Sequence, residues 1–87
     1  MSYTVEILRR AEKALRDLTD RKLYHRLRET IDVLASEPRP PGCTKLSGTR
    51  NLYRVRVGDH RIVYQVIDDR LLVLVVDIGH RREIYRA

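Results

Sequence analysis

Residues 51–66, NLYRVRVGDHRIVYQV, have the pattern of two short strands joined by a two-residue turn at Gly58–Asp59. Pairing outward from that turn places Arg56 opposite Arg61, and the side chains of a strand alternate between its two faces. The predicted hairpin therefore has one apolar and one cationic face. The apolar face holds Tyr53, Val55, Val57, Ile62, Tyr64 and Val66, and the cationic face holds Arg54, Arg56 and Arg61.

The cationic face needs a physical explanation, because like charges directly opposite each other destabilise a sheet. A solvated surface, or charges that prevent edge-to-edge association, would explain it without any ligand. An anionic ligand is the alternative. The use of arginine at all three positions favours an anionic ligand, since the planar guanidinium group can bind two phosphate oxygens at once.

A strand and two helices are predicted before the hairpin. Apolar residues alternate over residues 3–7, as in a strand, and from Leu8 the spacing becomes helical for about three turns. Thr19–Asp20 offers an N-cap for a second helix. The proline-rich segment 36–42 ends that helix, and a loop is predicted from there to about Arg50. The apolar stripe of the second helix is Leu23, Leu27, Ile31 and Leu34.

The chain after the hairpin is predicted to form one more strand. Residues 71–76, LLVLVV, are all apolar, which is typical of a central strand covered on both sides. We expect the chain to leave the sheet at Gly79. The predicted order is β-α-α-β-β-β, an α+β fold with an antiparallel-rich sheet and a helical hairpin packed on one face. With 87 residues, the chain is predicted to form a single domain over 1–87.

The composition indicates a basic protein. Lys and Arg number 18 against 12 Asp and Glu, a net charge of +6, which favours RNA, DNA, an acidic protein or a membrane surface as partner without choosing among them. Cys43 is the only cysteine, so an internal disulfide is excluded and a reducing compartment is expected. No apolar run approaches the roughly 20 residues that span a bilayer. We therefore predict a cytoplasmic protein that does not associate with membranes.

The sequence argues against cofactor and metal chemistry. His25, His60 and His80 lack a recognisable ligand spacing, and no phosphate-loop or dinucleotide motif is present. RNA cleavage needs neither, because the RNA 2′-hydroxyl can attack the adjacent phosphate. A protein must then align the attack, move two protons and stabilise the phosphorane charge. Arginine side chains suit the last of these tasks.

The C-terminal segment supplies candidates for proton transfer. Neighbouring guanidinium groups favour the ionised form of Tyr85, which makes it a candidate base, and its ring could also stack on a nucleobase. Arg81 could stabilise the leaving oxygen, and His80 is a candidate proton donor. Whether Tyr85 or His80 moves the proton stays open from the sequence.

Three motifs together resemble the RelE/ParE superfamily of type II toxins, and the RelE branch most closely. They are KLxG at Lys45–Gly48, YRVRVGDHRIVY at Tyr53–Tyr64 and GHRREIY at Gly79–Tyr85. The resemblance covers nearly the whole chain. It implies a RelE-like toxin fold and a metal-independent, ribosome-dependent endoribonuclease that cuts mRNA at A-site codons and so inhibits translation. It also implies a cognate antitoxin encoded alongside, with DNA contacted only through the antitoxin complex.

The resemblance also implies roles for individual residues. Its RNA phosphate-binding positions fall on Arg54 and Arg56, and the basic residues Lys45 and Arg82 are further candidates for phosphate binding. Its catalytic positions fall on Arg61, Arg81 and Tyr85, and His80, which stands where the best-known member has lysine, is a further catalytic candidate. Two other functions stay open: a non-nucleolytic ParE-like toxin that binds DNA gyrase, and a toxin-like domain that only binds its partner or DNA. The match at the catalytic positions argues against the ParE-like alternative.

Overall fold

The computed structural model of the protein describes residues 2–80. Within them, five strands form one mixed sheet in the order β1-β5-β4-β3-β2, in which β1 runs parallel to β5 and the other pairs are antiparallel. Two helices pack on one face of this sheet. The predicted α+β class is therefore confirmed. The elements are β1 (Thr4–Ile7), α1 (Arg9–Arg16), α2 (Arg21–Val33), β2 (Thr44–Lys45), β3 (Leu52–Val57), β4 (His60–Ile67), a 3-10 turn (Asp68–Arg70) and β5 (Leu72–His80).

The β3–β4 hairpin has the predicted register. Gly58 adopts φ +60°, the left-handed conformation that a type II′ turn requires at its first central residue. The turn is thus the Gly58–Asp59 pair, and it fixes every pairing along both strands. The pairs are Val57 with His60, Arg56 with Arg61, Val55 with Ile62, Arg54 with Val63, and Tyr53 with Tyr64.

The hydrophobic core lies between the helices and one face of the sheet. Five of the six residues predicted for the apolar face of the hairpin are buried there, and Tyr53 is half-buried with its ring stacked on Tyr64 at 5.9 Å. The helical side of the core is made by Ala11, Leu15, Leu27, Ile31 and Leu34. The arginines are consequently excluded from the helix-covered side.

The link between the helices is longer than predicted. The Asp20 side chain accepts a hydrogen bond from the Leu23 amide at 3.1 Å, which confirms the predicted N-cap of α2. An N-cap residue needs an extended backbone, so the chain must leave helical geometry before Asp20. Helix α1 accordingly ends at Arg16, after about two turns rather than three.

Two predicted boundaries are wrong. The segment predicted to be a loop contains β2, whose Thr44 and Lys45 pair with Arg54 and Tyr53. At the other end, β5 does not leave the sheet at Gly79 but continues to His80. The reason is that β4 begins at His60 and provides pairing partners as far as the His60–His80 pair.

The prediction that the last strand is covered on both sides is also wrong. Val73 and Val75 are buried, whereas Leu72 and Leu74 are half-buried, because the described helices cover only one face of the sheet. A bulge interrupts the β4–β5 ladder, where Val63 pairs with Asp77 but Tyr64 pairs with Val75. Val76 is the extra residue, so the alternation of faces changes phase after it.

No helix within residues 2–80 is long and apolar enough to cross a membrane.

Candidate nucleic-acid interface

Arg54, Arg56 and Arg61 share one face of the sheet, which we call the arginine face. Arg56 is exposed and Arg54 half-buried, but Arg61 is only 5% exposed, so the face expected to be open to solvent or ligand is not open at Arg61. Arg56 and Arg61 also differ in strand position. Arg61 lies on interior strand β4, whereas Arg56 on β3 lies beyond the last residue that pairs with the short β2.

Arg56 and Arg61 are directly opposite each other in the sheet. Two like charges at such a cross-strand pair repel, and an anion bound between them would offset that repulsion. A small cavity of about 40 Å³ opens at this point, lined by Arg56, Gly58, Asp59 and Arg61. The pair therefore places two cationic side chains at a small opening on this face.

A larger cleft lies along the other side of Arg56. It measures about 310 Å³, and Arg54, Val55 and Arg56 form one side of it. The second side comes from the segment that joins α2 to the sheet, at Pro41, Gly42 and Thr44. Sequence reasoning treated this segment only as the end of a helix, and no local motif indicated that it would border the arginines.

Lys45 is not on the arginine face. It pairs with Tyr53, while Thr44 pairs with Arg54. Because neighbouring residues of a strand point to opposite faces, the register places Thr44 rather than Lys45 beside Arg54. Lys45 is exposed on the outermost strand, and its predicted phosphate contact stays a prediction.

His80 also lies away from the arginine face. It pairs with His60, and the two imidazole rings meet edge to face with centroids 5.7 Å apart. Both histidines line a cleft of about 260 Å³ together with Ala14 and Leu18 of the helical layer. The bulge at Val76 causes this placement, because without it His80 would fall on the same face as Arg61. Arg81, Arg82 and Tyr85 lie outside the described residues.

A polar cluster that the sequence did not reveal joins the segment after α2 to the sheet. Arg39 donates two hydrogen bonds to the Asp68 carboxylate, at 3.1 and 2.8 Å, and a third from Nε to the Tyr53 hydroxyl at 3.0 Å. The Tyr3 hydroxyl donates to Asp68 at 2.7 Å. We call these four residues the Arg39 clasp. The hydrogen bonds from Arg39 and Tyr3 hold the pKa of Asp68 at about 2, below its usual range.

Tyr64 adds a further attachment beside the clasp. Its hydroxyl donates a 2.8 Å hydrogen bond to the Pro38 carbonyl oxygen. Burial raises the pKa of Tyr64, so the phenol stays protonated and remains a donor at neutral pH.

The low pKa of Asp68 predicts a specific pH dependence of stability. A carboxyl whose pKa is lower in the folded state stabilises the fold above its unfolded pKa, and that contribution is lost as the pH falls through the folded pKa. We expect the contribution of Asp68 to be complete above about pH 4 and to disappear as the pH falls toward about 2. Urea denaturation of wild-type protein and Asp68→Asn between pH 2 and pH 6 measures it. Parallel pH profiles of the two proteins would contradict it.

Residues 2–80 contain no group of three or more His, Cys, Asp or Glu side chains arranged to hold a metal ion.

Comparison with known proteins identifies the family. A family model described as the ParE toxin of the type II toxin–antitoxin system parDE matches residues 5–85. The chain belongs to the RelE/ParE superfamily of type II toxins. It is 33% identical to "Putative toxin RelE1" of Methanocaldococcus jannaschii over 99% of this chain and 98% of that protein. It is also 33% identical to "mRNA interferase toxin RelE" of Escherichia coli K12 over 98% of this chain and 92% of that protein.

Solved structures give the same family by fold. The archaeal RelE–RelB complex of Pyrococcus horikoshii matches with a TM-score of 0.82 and 35% identity, covering 100% of both chains. A free form of the Escherichia coli toxin RelE carrying two arginine-to-alanine substitutions matches with a TM-score of 0.80 and 29% identity, over 98% of this chain and 92% of that one. Both of the curated relatives described above carry RelE names, which confirms the predicted RelE branch.

Proposed function

We propose that this protein is the toxin of a type II toxin–antitoxin system and inhibits translation by cutting mRNA in the ribosomal A site. The observation that carries the proposal is the cross-strand Arg56–Arg61 pair, with Arg54 two residues along the same face. The similarity to a RelE toxin named as an mRNA interferase supports it. The arrangement presents guanidinium groups to one phosphate from two strands, which suits a phosphodiester better than a single surface charge does.

The proposed reaction uses the nucleophile of the RNA itself. The 2′-oxygen forms a bond to the adjacent phosphorus and loses its proton, and the bond to the 5′-oxygen breaks as that oxygen gains a proton. The products are a 2′,3′-cyclic phosphate and a free 5′-hydroxyl. Arg54 and Arg56 hold the phosphate oxygens, and Arg61 stabilises the charge of the phosphorane. Because Arg61 is buried, its charge is less screened by water than a surface charge is.

The remaining roles in the proposal belong to residues of the KLxG and GHRREIY motifs. Tyr85 is the candidate base and Arg81 the candidate stabiliser of the leaving oxygen, while Arg82 and Lys45 contact flanking phosphates. His80 is the second candidate for proton transfer, and it is the weaker one because the bulge at Val76 places it on the opposite face of the sheet from Arg61. No step in this scheme requires a metal ion or a cofactor, so we propose a metal-independent endoribonuclease.

The proposed partner is a cognate antitoxin encoded alongside the toxin. Solved relatives include RelE–RelB complexes from Pyrococcus horikoshii and Escherichia coli. A net charge of +6 favours an antitoxin segment rich in acidic residues. DNA would be contacted only through that complex. We further propose that residues 1–87 form one toxin domain and that it acts in the cytoplasm.

Primer extension on mRNA from translating ribosomes tests the proposal. Wild-type protein should give discrete breaks at A-site codons. Arg56→Ala should weaken these breaks by roughly 10- to 100-fold, since a hydrogen bond to a charged group contributes about 1.5–3 kcal/mol. Arg16→Ala removes the same charge from the exposed side of α1 and should leave the breaks unchanged. Equal loss in both variants would mean that only net charge matters.

A ParE-like toxin that binds DNA gyrase is the second candidate, because the matching family model carries the ParE description. It predicts intact mRNA at doses that stop growth, together with DNA breaks and an SOS response. That combination would overturn the ribonuclease proposal and make the arginine face a binding surface. Arg81→Ala and Tyr85→Phe, tested in the same extension assay, assign the C-terminal roles if cleavage is observed.

A further inference from the structure

The segment between α2 and β2 is held more firmly than its position in the sequence suggests. The Tyr3 amide donates to the Ala35 carbonyl oxygen at 2.6 Å, and the Tyr64 hydroxyl donates to Pro38. The Arg39 clasp then attaches the segment to the 3-10 turn and to β3.

The geometry of the Arg39 clasp is suited to holding the backbone of this segment in one position. All three nitrogens of the Arg39 guanidinium group donate hydrogen bonds, two to Asp68 and one to Tyr53. The group also lies 5.1 Å from the centroid of the Tyr53 ring. The Arg39 side chain is 42% exposed, so water screens its charge attraction to Asp68. The clasp therefore holds the backbone mainly through its directional hydrogen bonds.

That backbone borders the candidate RNA site. Pro41 and Gly42 follow Arg39 by two and three residues and line the 310 Å³ cleft beside Arg54 and Arg56. Gly42 adopts φ +91°, and the Cys43 amide donates to the Pro40 carbonyl oxygen at 3.1 Å, so the chain turns sharply here. Moving Arg39 would displace this turn. The size of the cleft lies at the lower end of the range of about 300–1,000 Å³ that is typical of small-ligand sites.

We propose that Arg39 is a positioning residue for the RNA substrate. Through Asp68 and Tyr53 it holds Pro41–Gly42 as a wall of the cleft, and this wall packs against the nucleotide next to the phosphate bound by Arg54 and Arg56. The clasp thereby sets the affinity for ribosome-bound mRNA and the nucleotides accepted at that position. The inference rests on the proposed ribonuclease function.

Asp68→Ala separates positioning from electrostatics. This substitution makes the protein more positive, so simple charge attraction predicts tighter binding to RNA. Loss of the clasp predicts the opposite: a roughly 10-fold higher KM for programmed ribosomes, kcat within about 2-fold, and a broader set of cut codons. Arg39→Lys keeps the positive charge of residue 39 but lacks the planar guanidinium group that donates to both Asp68 and Tyr53, so it should behave like Asp68→Ala. Asp17→Ala removes an exposed carboxylate paired with Lys13 at 2.8 Å, so it adds the same net positive charge at the end of α1 and is the matched control.

The outcomes distinguish this inference from the proposed function. If wild-type protein cuts no mRNA, the ribonuclease proposal fails first. If it cuts, and Asp68→Ala and Arg39→Lys keep the wild-type KM and codon pattern, the positioning role is refuted. Tyr53→Phe removes only the hydroxyl that accepts from Arg39, so it tests the same contact should Asp68→Ala not remain folded at the assay temperature. It should shift KM in the same direction by a smaller factor.

Discussion

Arg61→Ala is expected to lower mRNA cleavage on ribosomes by at least about 100-fold. In other enzymes, removing a single donor that stabilises the charge of the transition state lowers the rate by about 100- to 1,000-fold, because the donor acts in a site that excludes water. Arg61 is 5% exposed, so little water surrounds its charge. It also lies directly opposite Arg56, which we propose binds the phosphate. Single-turnover cleavage on programmed ribosomes measures the loss.

Two controls make that result interpretable. Arg61→Lys keeps a positive charge but cannot present two parallel donors, so we expect it to recover only part of the activity. Because a buried residue is replaced, thermal unfolding of each variant must show that it is folded at the assay temperature. Wild-type cleavage by folded Arg61→Ala would remove Arg61 from the catalytic machinery.

Leu27→Ala is expected to lower the free energy of unfolding by about 2–5 kcal/mol. Leu27 is fully buried between α2 and the sheet, and its truncation leaves a cavity that close-packed neighbours fill only in part. Domains of this size have a total stability of about 5–15 kcal/mol, so the loss is a large fraction of it. Chemical denaturation measures the change.

Val33→Ala is the matched control on the same helix. Val33 is 45% exposed, and its truncation should change the free energy of unfolding by less than about 0.5 kcal/mol. Equal effects at the two positions would contradict the packing described for α2. The Leu27→Ala and Val33→Ala variants also serve as references for toxicity assays. We expect Leu27→Ala to reduce activity through loss of stability, whereas Arg61→Ala should reduce it in a folded protein.

Part of the candidate site was predictable because it depends on local rules. Turn chemistry at Gly58–Asp59 sets the hairpin register, and strand alternation then places Arg54, Arg56 and Arg61 on one face. The Arg39 clasp was not predictable in this way. Arg39 and Asp68 are 29 residues apart, and nothing in the sequence near either one indicates the other.

The sequence by itself determined the hairpin, the N-cap of α2 and the apolar face of the sheet, since turn chemistry, capping and periodicity act between residues that are close along the chain. Only the tertiary structure decided which arginine is buried and where His80 lies. Arg61 is buried on the interior strand β4, and the position of His80 follows from one extra residue in β5 at Val76. Strand order and bulges depend on how distant segments pack together, and short-range patterns do not contain that information.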